Sequence, residues 1–212
     1  MPIDLDGDFP LIDHHCHGLV PRDVTRRQFE LMISESFVDA PKGTSHFDAP
    51  VGLAIRAKCA PLLGLDPFPD PDAYMERRAA LGAAEVNRRF VQAATCSLLL
   101  IDTGFRSTDI LSQHQMAEAL GVPTREVVRI EAIAERVGRT GVGAAEFSRA
   151  FADELAKASK DAVGLKTIIA YRGGFEFDPE PPSAAAVTAA GFAAIRWRAA
   201  CASDRSNTSS GR

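Results

Sequence analysis

Two histidines set two residues apart, His15 and His17, are the side chains of this sequence best placed to do chemistry. They stand in the run Pro10-Leu11-Ile12-Asp13-His14-His15-Cys16-His17-Gly18, where a short apolar segment leads into the imidazoles and a glycine closes it. Side chains two apart leave an extended strand on the same face, so the pair would present two ring nitrogens side by side. Imidazole is the commonest protein metal ligand, and two of them make half of a divalent-metal site, with zinc the expected ion and manganese the alternative. Asp13 falls on the same face one step deeper, where it would accept a hydrogen bond from a ligand imidazole or join the metal. The bland alternative is a chance polar cluster. A cloning tag would lack the apolar strand that precedes these histidines. Cys16, between the rings, would face the other way and pack.

Positioning such a pair takes a strand, and four strands are expected. They are Leu11 to His15, Ser97 to Asp102, Glu126 to Glu131, and Ala162 to Tyr171. The second and fourth are nearly continuous apolar runs, as parallel strands covered on both faces require. Helical periodicity marks Val24 to Ser36, Pro50 to Leu63, Asp72 to Leu81, Ala83 to Ala94, Ile110 to Leu120, Gly143 to Ala158 and Ser183 to Arg198, the last with Ser183 as N-cap. Strands alternating with helices, without hairpin turns, predict a parallel α/β architecture. The stretch over about residues 22–95 is long for one crossover and reads as a helical insertion after the first strand. Beyond Trp197 the chain turns Ala-rich and then polar, so 199–212 is expected to be a disordered or non-native tail.

Parallel α/β folds collect chemistry at the carboxyl ends of their strands. Those ends offer Asp13, His15 and His17, then Asp102, then Glu131, then Lys166 and Arg172. Each has two readings. Asp102-Thr103-Gly104 either opens a turn or lends a carboxylate to the site. Glu131 either pairs with an arginine or contacts the metal shell or substrate. Lys166, placed early in its strand, is either buried and paired or reacts with CO2 to a carbamate that bridges two metals. Arg172 either clamps a substrate carboxylate or phosphate or is solvated. His46 and His114 read as surface histidines.

Composition bounds the remaining classes. The chain has 212 residues, 46% of them hydrophobic, enough for one sizeable core. A formal charge of -4 leaves no electrostatic footprint for nucleic acid. No apolar run is long enough to span a bilayer, and the acidic start (Asp4, Asp6, Asp8) is unlike a secretory signal. Cys16, Cys59, Cys96 and Cys201 are widely spaced, as reduced thiols of a cytoplasmic protein would be. No Gly-rich phosphate loop or dinucleotide fingerprint follows any strand.

The D-x-H-x-H strand end in an α/β chain resembles the metal-dependent amidohydrolase superfamily, and within it the amidohydrolase-related branch that includes the N-terminal domain of FluG-type proteins. Three segments carry the resemblance, over residues from about 9 to 195. They are Ile12-Asp13-His14-His15-Cys16-His17-Gly18; Cys59-Ala60-Pro61-Leu62-Leu63-Gly64-Leu65 with Tyr74-Met75-Glu76-Arg77-Arg78; and Val163-Gly164-Leu165-Lys166-Thr167-Ile168-Ile169-Ala170-Tyr171-Arg172. The resemblance implies a (β/α)8 barrel with one or two divalent metals at the strand ends, His15 and His17 among their ligands. It also implies metal-activated water attacking an amide, ester or similar bond of a small molecule, with a carboxylyase as a close variant.

The sequence departs from that pattern in its second half. No histidine follows His114, and the closing aspartate of the family has no counterpart, since Asp204 lies in the polar tail. Four strands in 212 residues fall short of a barrel that typically takes about 250. The expectation is therefore residues 1–198 as the N-terminal half, about four βα units, of a TIM-like barrel, in a truncated and inactive or self-associating product. An open half-barrel would leave two strand edges and an apolar inner face exposed, so a second copy of the chain would pair through the open barrel face. A degenerate, non-catalytic scaffold is the alternative from another class.

Overall fold

The strand ends described below are those of a computed structural model that describes residues 11–34, 38–105, 109–176, 178 and 180–191. The expected tail over 199–212 and the side chain of Arg172 lie outside the described residues. Strand β1 is Leu11–Cys16, followed by helices α1 (Arg26–Ser34), α2 (Pro50–Leu62), α3 (Pro71–Leu81) and α4 (Ala83–Ala93). Strand β2 (Cys96–Asp102) leads to α5 (Gln113–Leu120), and β3 (Thr124–Arg129) runs directly into α6 (Ile130–Arg139). Helix α7 (Ala144–Ala158), strand β4 (Gly164–Lys166) and a short helix α8 (Ile169–Gly173) follow, with a further helical stretch over 184–191. The strand order is β1-β2-β3-β4. The fold class is α/β, built of βα units in chain order like half of a TIM-like barrel. The chain divides into two compact units, Met1–Arg125 and Glu126–Arg212.

In the first unit, β1 and β2 pair in parallel, with Asp13 opposite Leu99 and Cys16 opposite Ile101, and the register shifts between those two pairs. One step past the Cys16–Ile101 pair stand His17 and Asp102, so both strands deliver a polar side chain at the same level. The apolar run of β2 buries Leu99 and Ile101 against Met116 of α5, with Cys16, Leu19 and Cys96 packed around them. Helix α5 is fixed by a capping box in which the Ser112 hydroxyl accepts from Gln115 N–H and the Gln115 side chain accepts from Ser112 N–H. It ends at Gly121, whose φ of 66° is the left-handed cap glycine favours.

The insertion after β1 forms its own core. Phe29, Phe47 and Tyr74 pack ring against ring, at 5.4 Å and 5.9 Å between centroids, with Ala60, Leu63 and Val86 fully buried beside them. The Arg78 guanidinium lies over Phe29 at 4.9 Å, adding a cation–π contact. A 3-10 turn, His46–Asp48, drives Phe47 into this cluster and had no sequence expectation. Gly52 permits the approach: a Cβ there would meet His46 O at 2.4 Å. Glu30 anchors the turn, accepting from Arg26 Nε (2.8 Å), Ser45 Oγ (2.9 Å) and His46 N–H (2.9 Å).

In the second unit, β3 and β4 pair in parallel, Val127 opposite Gly164 and Arg129 opposite Lys166. Two expectations are corrected here. The third strand ends at Arg129, because the Ile130, Ile133, Ala134, Val137 spacing belongs to an amphipathic helix that buries Ile133 and Val137. The fourth strand is three residues long, since Thr167 and Ile168 turn the chain and Ile169 begins α8. Ser183 does cap the last helical stretch, its hydroxyl accepting from Ala186 N–H at 3.2 Å.

Candidate metal centre

His15, His17 and Asp102 converge at the carboxyl ends of β1 and β2, with one potential ligand atom from each lying within 4.8 Å of the other two. The imidazoles of His15 and His17 meet edge to face, centroids 5.4 Å apart, as the alternation of an extended chain predicts. His15 is exposed, His17 half-buried, and Asp102 has no exposed surface. A buried carboxylate is costly unless hydrogen-bonded or balanced by positive charge. Asp102 Oδ1 accepts from Gly104 N–H at 2.9 Å, and its Oδ2 lies 4.0 Å from His17 Nδ1. The residue therefore both opens the turn and joins the cluster, so the two readings of Asp102 describe one side chain.

Tautomer follows from the partner. His17 Nδ1 lies 3.1 Å from the Asp102 carbonyl oxygen. A carbonyl can only accept, so this contact puts the proton on Nδ1 and leaves the Nε2 lone pair for a cation. Two imidazoles and a carboxylate suit zinc, which takes such ligands at about 2.0–2.2 Å. Tetrahedral ligation would bring the donors to about 3.4 Å of one another. The donor set fits a divalent ion, and its three members leave a coordination position for water or substrate.

Other sequence candidates sit apart in role. Asp13 Oδ1 accepts from the backbone N–H of His15 at 3.1 Å, bracing the strand end. Cys16 turns its sulfur toward Leu100 O at 3.6 Å and stays outside the cluster. Burial, with Asp13 and Cys96 nearby, pushes that thiol up to about 11, which favours the protonated form. Within the second unit, Glu131 stands in the first turn of α6 and not at a strand end, correcting its expected place. Its Oε1 accepts from the Thr167 hydroxyl and from Ile168 N–H at 2.8 Å. Burial raises its carboxyl, but the Thr167, Glu131 and Ile168 hydrogen bonds and the Arg129 charge outweigh that, holding it below the usual range. Lys166 is the last residue of β4, half-buried, not early in a long strand. Arg172 belongs to α8 instead of following a strand.

Sequence reasoning passed over Phe105. Its ring packs on His17, centroids 4.9 Å apart, and it follows Asp102 by three residues. An aromatic just past an Asp-Thr-Gly strand end was the signal available for it.

Comparison with known proteins bears on this arrangement. No protein-family model and no curated protein matches the chain. Among solved structures, it is similar to a “putative metal-dependent hydrolase” from Lactobacillus casei ATCC 334. The TM-score is 0.60 and the identity 28%, over 88% of this chain and 50% of that protein. The chain thus spans half the length of that neighbour. The likeness supports a metal-dependent hydrolase in general terms and reaches no particular branch.

Proposed function

We propose that this chain is the metal-binding portion of an amidohydrolase-type hydrolase, corresponding to the first four βα units of such a barrel. The observation that carries the reading is the convergence of His15, His17 and Asp102 from two adjacent parallel strand ends. His15, His17 and Asp102 would hold the ion, zinc by preference, and Asp13 would steady the strand that presents the histidines. A bound divalent ion supplies a water whose pKa falls to about 7 and a Lewis acid for a carbonyl. The chain contributes the rest. His17 keeps its proton on Nδ1 through the Asp102 carbonyl, and the Asp102 side chain, steadied by the Gly104 N–H, would turn a carboxylate oxygen toward the cation. Substrates are small molecules with an amide or ester bond; a carboxylyase would use the same donors. A cytoplasmic setting and self-association through the open barrel face complete the proposal.

The test is metal-dependent turnover. The protein is stripped with chelator, reloaded with zinc or manganese, and assayed on a panel of small amides and esters. Turnover that returns with metal and is absent from the His15→Ala, His17→Ala double variant supports the hydrolase. Metal-loaded protein without turnover on the whole panel contradicts it and favours the non-catalytic scaffold.

A further inference from the structure

We infer that Met116 is a positioning residue of the metal centre, its sulfur holding the chain just beyond β1 so that His17 meets the cation. The inference rests on the metal reading above and adds to it a residue from α5. Strand β1 ends at Cys16, the last residue it pairs with β2, so His17 stands past the hold of the ladder. The next anchor is Leu19, held at both backbone polar groups. Its N–H donates to the Met116 sulfur at 3.3 Å, and its carbonyl accepts from Leu111 N–H at 2.8 Å. Gly18, between His17 and Leu19, has the least intrinsic conformational restriction of any residue type, so the anchors on either side decide where His17 points. Met116 is 2% exposed and packs with Leu99 and Ile101 in the cluster that Leu19 and Leu111 join. Sulfur is a weak acceptor, but in this apolar surrounding it is the group that meets the Leu19 N–H. A leucine at 116 would fill the space and leave that N–H without its acceptor. The freed segment would then have to be ordered each time the cation binds, at a cost in zinc affinity.

The experiment compares zinc affinity, and the visible absorption of the cobalt(II) form, in variants of the full chain. Met116→Leu is expected to bind zinc about three- to tenfold more weakly than wild type and to shift the cobalt bands. Leu120→Ala, which trims another member of the same cluster, is expected to lower the melting midpoint and leave both readouts alone. Wild-type affinity and bands in Met116→Leu overturn the inference alone, as does an equal loss in Leu120→Ala. If Met116→Leu does not fold, the methionine methyl carbon signals of wild type decide, assigned with Met32→Leu and Met75→Leu. Zinc is expected to move the Met116 signal and leave those of Met32 and Met75 in place. A Met116 signal unmoved by zinc overturns the inference. A wild-type chain that takes up neither metal overturns the metal reading together with it.

Discussion

Asp102 shows how one side chain can serve fold and chemistry together. Its Oδ1 closes the turn through Gly104, while the rest of the carboxylate faces His17 from a position without solvent. Asp102→Asn keeps an acceptor for the Gly104 N–H but removes the charge. The variant should fold and lose zinc affinity by at least about tenfold, measured by competition with a chromophoric chelator. Glu30 is the contrasting, purely structural carboxylate. Burial raises its carboxyl, yet Arg26, the His46 N–H and the Ser45 hydroxyl outweigh this and hold it below the ordinary value of 4.5. A carboxylate lowered in the folded state contributes stability above its unfolded pKa, and that contribution is lost as pH falls through the folded value. Glu30→Gln should therefore cost about 1–3 kcal/mol at neutral pH, with the difference from wild type shrinking below pH about 4.5 in urea melts. Residue-level chemistry was partly legible. His15 and His17 announce themselves by spacing, whereas Asp102 could not be separated from a turn former until a second strand end was seen beside it.

Elements decide whether these side chains meet. Strand β1 ends against β2 at the same level, and Gly18 then lets the chain pass close to the loop before α5. A Cβ on Gly18 would lie 1.9 Å from Leu111 O, a backbone atom with no freedom to yield, and Leu111 N–H donates to Leu19 O at 2.8 Å nearby. Gly18→Ala should destabilise the fold by about 1–3 kcal/mol or more and weaken zinc binding by displacing His17. Thermal melting and zinc titration of the same sample check both effects. Helices α2, α3, α4 and α7 were readable because Pro50 and Pro71 open two of them and amphipathic spacing runs through α4 and α7. Helix α6 was not, because Val127, Val128 and Ile130 form a run that reads equally as strand, and only the burial of Ile133 and Val137 decides for helix. The 3-10 turn around Phe47 was passed over although Ser45 and Asp48 form a local capping box, and the further support of Glu30 is distant in sequence.

At the scale of the whole molecule, each unit carries its own packing, and the candidate metal centre lies within the first. The alternation of strands and helices made the α/β class legible, while β4 was expected to run on to Tyr171 because Thr167 and Ile168 look like strand residues. No helix among the described residues is long and apolar enough to cross a membrane. A cation held by two histidines of β1 and an aspartate of β2 would tie two strand ends together. Binding to the folded state alone raises stability by mass action, about 2.7 kcal/mol at a free concentration of one hundred times Kd. Zinc should therefore raise the melting midpoint by several degrees, and chelator should reverse the rise.

Zinc titration into metal-free protein by calorimetry tests the central claim most directly. Wild type, and a His46→Ala, His114→Ala control, should each bind one zinc ion through the strand-end cluster, while His15→Ala with His17→Ala should bind none. Equal binding by the strand-end double variant and wild type would contradict the account.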